Sequence, residues 1–218
     1  CARVLEQAAA LHAATWGDAA LPGLGWLQGP VRIFTAVSDN FAAVIETFPE
    51  LCGDLVPDED IREAARLIDH SETWKTVFSQ PRCLWHSDLR ADNVLFDAQD
   101  GQRPVVLLDW QGLGFGNGLI DAAYWLGTSM AVDDRRRHER ELIRHYHGAL
   151  LANGVEHYSE QDCWTDYRLH AIHGLQVGIF GLGAVRRSER GDRMWKNWIE
   201  RCAAQVRDLD SYAVLAAR

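Results

Sequence analysis

The sequence predicts an α+β, predominantly helical fold carrying one small β-ribbon, and three observations predict it. Apolar residues recur at three- and four-residue spacing over most of the 218 residues, the period of a buried helix face. Two runs, 94–96 and 105–108, are too short for helices, and Asp97-Ala98-Gln99-Asp100-Gly101 between them has hairpin-turn chemistry. A polar loop from His86 to Asn93 precedes the first run, and Asp109 ends the second, a buried-looking strand. The ribbon would therefore open both polar groups onto one side.

Taken in order, residues 1–16 read as helix, with Val4, Leu5, Ala8, Leu11 and His12 on one face. No N-cap or turn precedes them, so the chain is expected to begin inside a domain, after a missing segment. Gly17, Pro22, Gly23, Gly25, Gly29 and Pro30 exclude a long regular element, and Trp16, Trp26 and Leu27 are expected to anchor that loop. Phe34, Val37, Phe41, Val44, Ile45 and Phe48 form a helical stripe that should stop near Pro49 and Gly53. Pro57-Asp58-Glu59-Asp60 is a helix start, its acids facing the positive dipole end, and this helix carries Ile61, Ala64, Ala65 and Ile68. Ser71 is expected to cap a short helix containing Trp74, Val77 and Phe78, ended by Pro81.

After the ribbon, Gly112, Gly114, Gly116 and Gly118 mark a turned loop before a helix over residues 119–130. The next helix, residues 133–151, closes at Gly154, and Asp133 to Arg137 reads as its solvated start. Ser159 and Asp162 resemble a capping box for a long helix through Ile179, and Asp192 should open the last one. There is no internal repeat, low-complexity tract or obvious linker, and 218 residues allow one large domain or two small ones.

Composition narrows the function classes. With 47% apolar and 24% charged residues the chain is ordinary for a soluble globular protein. No apolar run spans a bilayer and no signal-peptide layout opens the chain, so a cytoplasmic protein with no membrane partner is expected. Five dispersed cysteines argue for reduced thiols over a disulfide framework or a zinc site. A net charge of −9 argues against a nucleic-acid partner. Most of the nine tryptophans fall on apolar helix faces at helical spacing and read as core, and His170 with His173 reads as a packed pair.

The chemistry concentrates between Cys83 and Asp121. His86-x-Asp88-Leu89-x-x-x-Asn93 followed by a strand ending in Asp109 has the layout of a kinase catalytic loop and its metal-binding Asp. Phosphoryl transfer from ATP needs a carboxylate facing the attacking hydroxyl, and Asp88 is placed for that. Magnesium needs hard oxygen ligands, which Asn93 and Asp109 supply. Arg90, two residues past the base, offers positive charge to the migrating group. His86 reads as an organiser of the loop backbone, and Asp121 as either a helix cap or a group reaching back to the loop amides.

These residues, with Gly-x-x-x-Asp121-Ala-Ala-Tyr124, resemble the aminoglycoside phosphotransferase and choline kinase-like superfamily. Asp109-Trp110-Gln111 in place of Asp-Phe-Gly is most similar to its ecdysteroid kinase-like branch, and residues 1–16 are similar to the helix following that family's hinge. The resemblance implies a protein-kinase-like C-terminal lobe, with Asp88 as base, Asn93 and Asp109 on magnesium, Asp121 supporting the loop, and a hydroxylated small molecule as acceptor. Ser87 departs from the family's usual Gly. No Gly-rich loop and strand Lys precede Asp88, and Lys75 and Lys196 are the only lysines. An N-terminal nucleotide-binding lobe is thus expected to be absent from these residues, which alone should bind nucleotide poorly and turn over little. Two other readings stand beside the kinase: a non-catalytic pseudokinase, and a metal-dependent phosphate hydrolase using Asp88, Asn93 and Asp109.

Overall fold

The computed structural model describes residues 1–27, 30–77 and 83–218, with the backbone alone over residues 30–39. The first apolar stripe becomes α1 (Ala2–Ala13), which buries Val4, Leu5, Ala8, Ala9 and His12. In the following loop Leu27 is buried and Trp16 packs on Tyr158 at 4.9 Å, but Trp26 is 70% exposed and anchors nothing. The second helix, α2 (Pro30–Cys52), runs through Pro49 instead of stopping there. Pro49 lies in its last turn, where few hydrogen bonds remain to be lost, and buried Phe48 and Cys52 hold that turn on the core. Gly53, at φ +53°, ends it. The side chains of Phe34 and Val37 lie outside the described residues.

The acidic start gives α3 (Asp58–Ala65), which tightens into a 3-10 turn that leaves Ile68 38% exposed. Ser71 is the first residue of α4 (Ser71–Thr76), with His70 in the cap position, so the expected Ser71 cap is not formed. Phe78 and Pro81 lie outside the described residues.

Two two-stranded antiparallel sheets follow. The expected ribbon is β2 (Val94–Ala98) against β3 (Arg103–Leu107), pairing Val94 with Leu107 and Phe96 with Val105. It is less buried than its composition suggested: Val105 is covered, but Leu95, Phe96 and Leu108 are 48%, 53% and 36% exposed. The other sheet pairs β1 (Cys83–Trp85) with β4 (Gly114–Gly116). Residues read as loop thus form a strand, because β1 supplies the hydrogen bonds that glycine-rich sequence does not favour by itself.

The core is built on α5 (Leu119–Ser129), whose residues 119–127 are all buried. A helix apolar on every side must be covered on every side. Around it pack α6 (Val132–Ala152), α7 (Glu160–Ala184) and α8 (Glu189–Leu209). Close approach of α7 to α8 needs Gly174, where a Cβ would stand 2.9 Å from Cys202 Sγ. Ser159 caps α7 as expected, accepting from the Asp162 amide at 3.0 Å. Ser188, not Asp192, begins α8, and a further helix, α9 (Ser211–Ala216), follows Asp210 at φ +48°. The start of α6 is not simply solvated: Arg135 is 1% exposed and pairs with Glu139 at 2.6 Å and with Asp208.

His170 and His173 lie buried on α7 as a packed pair, and burial pulls their pKa values down from 6.5 to about 3 and about 4. The unfolded chain protonates them first, so stability is complete above about pH 6.5 and falls as the pH drops toward the folded values. At pH 5 each histidine is expected to cost about 2 kcal/mol relative to pH 7. Urea unfolding at both pH values, compared with His170→Gln and His173→Gln, checks this: each substitution should reduce the loss between pH 7 and 5.

Candidate active site

The β1 strand delivers the chain into the loop at His86, and α5 holds that loop through Asp121. This carboxylate is fully buried; Oδ2 accepts from the His86 amide at 2.6 Å and Oδ1 from the Ser87 amide at 2.8 Å. It therefore reaches back to the loop instead of capping α5, whose cap position is Gly118. A third donor comes from α1, where His12 Nε2 stands 3.1 Å from Asp121 Oδ2. A carboxylate facing three donors accepts from each, so His12 Nε2 carries a proton, and Nδ1 lies 2.7 Å from the Tyr146 hydroxyl. Gly118 makes room for this ring: a Cβ there would lie 2.6 Å from His12 Nδ1.

His86 bonds to backbone through both ring nitrogens. Its Nε2 donates to the Leu108 carbonyl at 2.7 Å, and its Nδ1 accepts from the Asp88 amide at 3.4 Å. One buried ring thus ties the loop to the end of β3, one residue before Asp109. Between His86 and Asp88, Ser87 sits at φ +68°, a left-handed conformation costing a non-glycine residue roughly 1–2 kcal/mol. Glycine removes that strain but adds chain entropy to the unfolded state. Ser87→Gly is accordingly expected to stabilise by no more than about 1 kcal/mol, read from the urea midpoint.

Asp88 is held on both oxygens. The Tyr124 hydroxyl donates to Oδ1 at 3.2 Å, Asn93 Nδ2 donates to Oδ2 at 2.8 Å, and Arg90 Nε stands 3.3 Å from Oδ1. Its side chain is still 32% exposed, so the carboxylate is fixed in direction yet open on one side. Burial, followed by the neighbouring Asp88 charge, pushes the Tyr124 phenol well up, which keeps it a donor. Asn93 Nδ2 also donates to the Asp88 carbonyl at 2.9 Å. Both partners are acceptors, so the NH₂ must face them and the amide oxygen points elsewhere.

The Leu108 amide donates to the Asn93 carbonyl at 2.8 Å, which sets Asp109 one residue beyond Asn93's partner. Asp109 is exposed and left-handed at φ +61°. Arg90 is shared between Asp88 and Asp92, and its guanidinium lies 5.6 Å from the centre of the Trp198 ring. The structure thus gathers His86, Asp88, Arg90, Asn93 and Asp121 into one network and joins Asp109 to it through the backbone.

Sequence reasoning missed Tyr124 and His12 as members of this network. Tyr124 follows Asp121 by three residues and so shares its helix face, a signal present in the sequence. For His12 the signal was weaker: a histidine on the apolar face of α1, with no way to see Asp121 behind it.

A buried acid pins the His-x-Asp loop, and a carboxylate and an amide stand at the ends of the β2–β3 ribbon beside it. A model of the ecdysteroid kinase-like family matches residues 32–157, and the chain belongs to that family. The family is part of the protein-kinase-like superfamily that includes aminoglycoside phosphotransferases and choline kinases. No curated protein matches the chain. The matched span contains the loop from His86 to Asp121, whereas α1 with His12 and the helices α7 and α8 lie outside it.

Proposed function

We propose that this protein transfers the γ-phosphoryl group of ATP to a hydroxyl of a small molecule, with Asp88 as the base. The observation that carries this reading is Asp88 itself, bonded to Tyr124 and Asn93 on its two oxygens yet open on one side. The acceptor oxygen attacks the γ-phosphorus and its proton passes to Asp88. The new oxygen–phosphorus bond forms as the bond to the β,γ-bridging oxygen breaks, and ADP leaves. Arg90, held beside Asp88 by that carboxylate and Asp92, is the cation proposed to face the negative charge of the transferred group.

Asn93 and Asp109 are the residues that would hold magnesium. Among the described residues no three His, Cys, Asp or Glu side chains gather as a metal site, but magnesium is commonly bound by one or two protein oxygens together with phosphates and water. The amide oxygen of Asn93, turned away from Asp88, and the exposed Asp109 carboxylate suit that mode. When bound, the ion would offset charge on the phosphates.

Lys75 and Lys196 sit on α4 and α8 and pair with Glu72 and Glu200. Neither is placed on a strand beside Asp109, so the grip on the phosphates from above is proposed to come from outside residues 1–218. The test is incubation of the full-length parent protein with magnesium, ATP and a panel of hydroxylated metabolites, read by ³¹P NMR. A new phosphomonoester with stoichiometric ADP is expected; inorganic phosphate with no phosphorylated acceptor would instead establish the hydrolase.

A further inference from the structure

On the far side of Arg90 from Asp88's other partners lies a cleft of about 230 Å³, lined by Arg90, Asp92, Met194, Asn197, Trp198 and Arg201 among others. We infer that this cleft binds the acceptor and that it takes a hydroxylated molecule bearing a carboxylate, which Arg201 reads. The inference rests on the transferase reading above and specifies its substrate class.

Three observations carry it. The cleft adjoins the reacting centre: Arg90, one of its walls, touches Asp88, and Trp198 meets Tyr124 edge to face at 5.3 Å.

The second observation concerns charge. Arg90 is neutralised by Asp88 and Asp92. Arg201 is not: Nη1 donates to the Thr128 carbonyl at 3.1 Å, and no carboxylate pairs with it among the described residues. A partly buried guanidinium whose one bond goes to a neutral carbonyl keeps another donor edge free, and that edge matches a planar carboxylate in a bidentate pair. A phosphate dianion would leave its second charge uncompensated, because Arg90 is already engaged twice.

The third observation is the wall. Trp198, 7% exposed, commits Nε1 to the Gly174 carbonyl at 2.9 Å, so what the indole shows the cleft is apolar, with Met194 38% exposed nearby. An apolar body between hydroxyl and carboxylate fits that surface. Of the charged groups lining the cleft, Asp92 is paired with Arg90, and Arg201 is left without a carboxylate partner among the described residues.

Four probes of one shape test this: 4-(hydroxymethyl)benzoate, its benzamide, its benzylamine and 4-(hydroxymethyl)phenyl phosphate. Binding is followed through the ¹⁵N indole signal of Trp198. The benzoate is expected to bind at least ~10-fold more tightly than the benzamide, the advantage of one charge-assisted pair. Arg201→Gln should erase that preference, and an unchanged thermal midpoint would exclude misfolding. Asn197→Asp, at an exposed position, should weaken the benzoate and strengthen the benzylamine.

Equal affinity across the charge series, a preference surviving Arg201→Gln, tighter binding of the phosphate, or no response to any probe would each overturn the inference. The benzoate should still bind Asp88→Asn. Carboxylate binding without phosphoryl transfer in the parent protein would leave the cleft assignment standing and sink the transferase; transfer to neutral acceptors unaffected by Arg201→Gln would do the reverse.

Discussion

Asp88→Asn is expected to lower kcat by roughly 10²–10⁴-fold, the usual contribution of a positioned general base. The substitution keeps the shape of the side chain. Its amide oxygen can accept from Asn93, and its NH₂ can donate to the Tyr124 oxygen, the atoms that now meet the carboxylate at 2.8 and 3.2 Å. Arg90 loses one of two acid partners and keeps Asp92. Stability should therefore change by about 1 kcal/mol or less, so lost turnover cannot be ascribed to unfolding. Steady-state kinetics and urea denaturation on the same preparation check both halves. A kcat unchanged by the substitution in the full-length protein would remove Asp88 from the chemistry, and a full-length protein with no ATP-dependent activity to lose would be the pseudokinase.

Asp121→Asn is expected to be the most destabilising of the changes considered, by about 3–5 kcal/mol. Asp121 is fully buried and faces the His86 amide, the Ser87 amide and His12 Nε2, all of them donors. An asparagine can accept on one atom only. Its NH₂ would then confront at least one N–H, and that donor has no water to turn to. The cost falls on the loop that aims Asp88, so activity should fall along with the urea midpoint. His12→Gln is the milder companion, because it withdraws one donor and leaves both loop amides bonded. Recovery of activity at low temperature would mark Asp121 as a positioning residue that acts through the loop.

Much of the site was legible because its members sit close in sequence. Asp88, Arg90 and Asn93 lie within six consecutive positions, and Asn93 is connected to Asp109 by a hairpin whose turn residues announce it. Asp97, Gln99, Asp100 and Gly101 do adopt positive φ values, as turn chemistry requires. Helix periods located α5 to α7 for the same local reason. The misreadings were equally physical. A three-residue strand such as β4 exists only through its partner β1, thirty residues earlier, and Arg135 is buried only because Asp208 arrives from α8.

The sequence by itself determined the helical class, the ribbon and the reactive loop, since periodicity, turn chemistry and close spacing are properties of neighbouring residues. Only the tertiary structure decided what Asp121 does, which of the arginines is neutralised, and that Tyr124 and His12 belong to the network around Asp88. Each of those outcomes depends on desolvation and on donors brought from distant helices, and no local pattern records which groups folding will bury together.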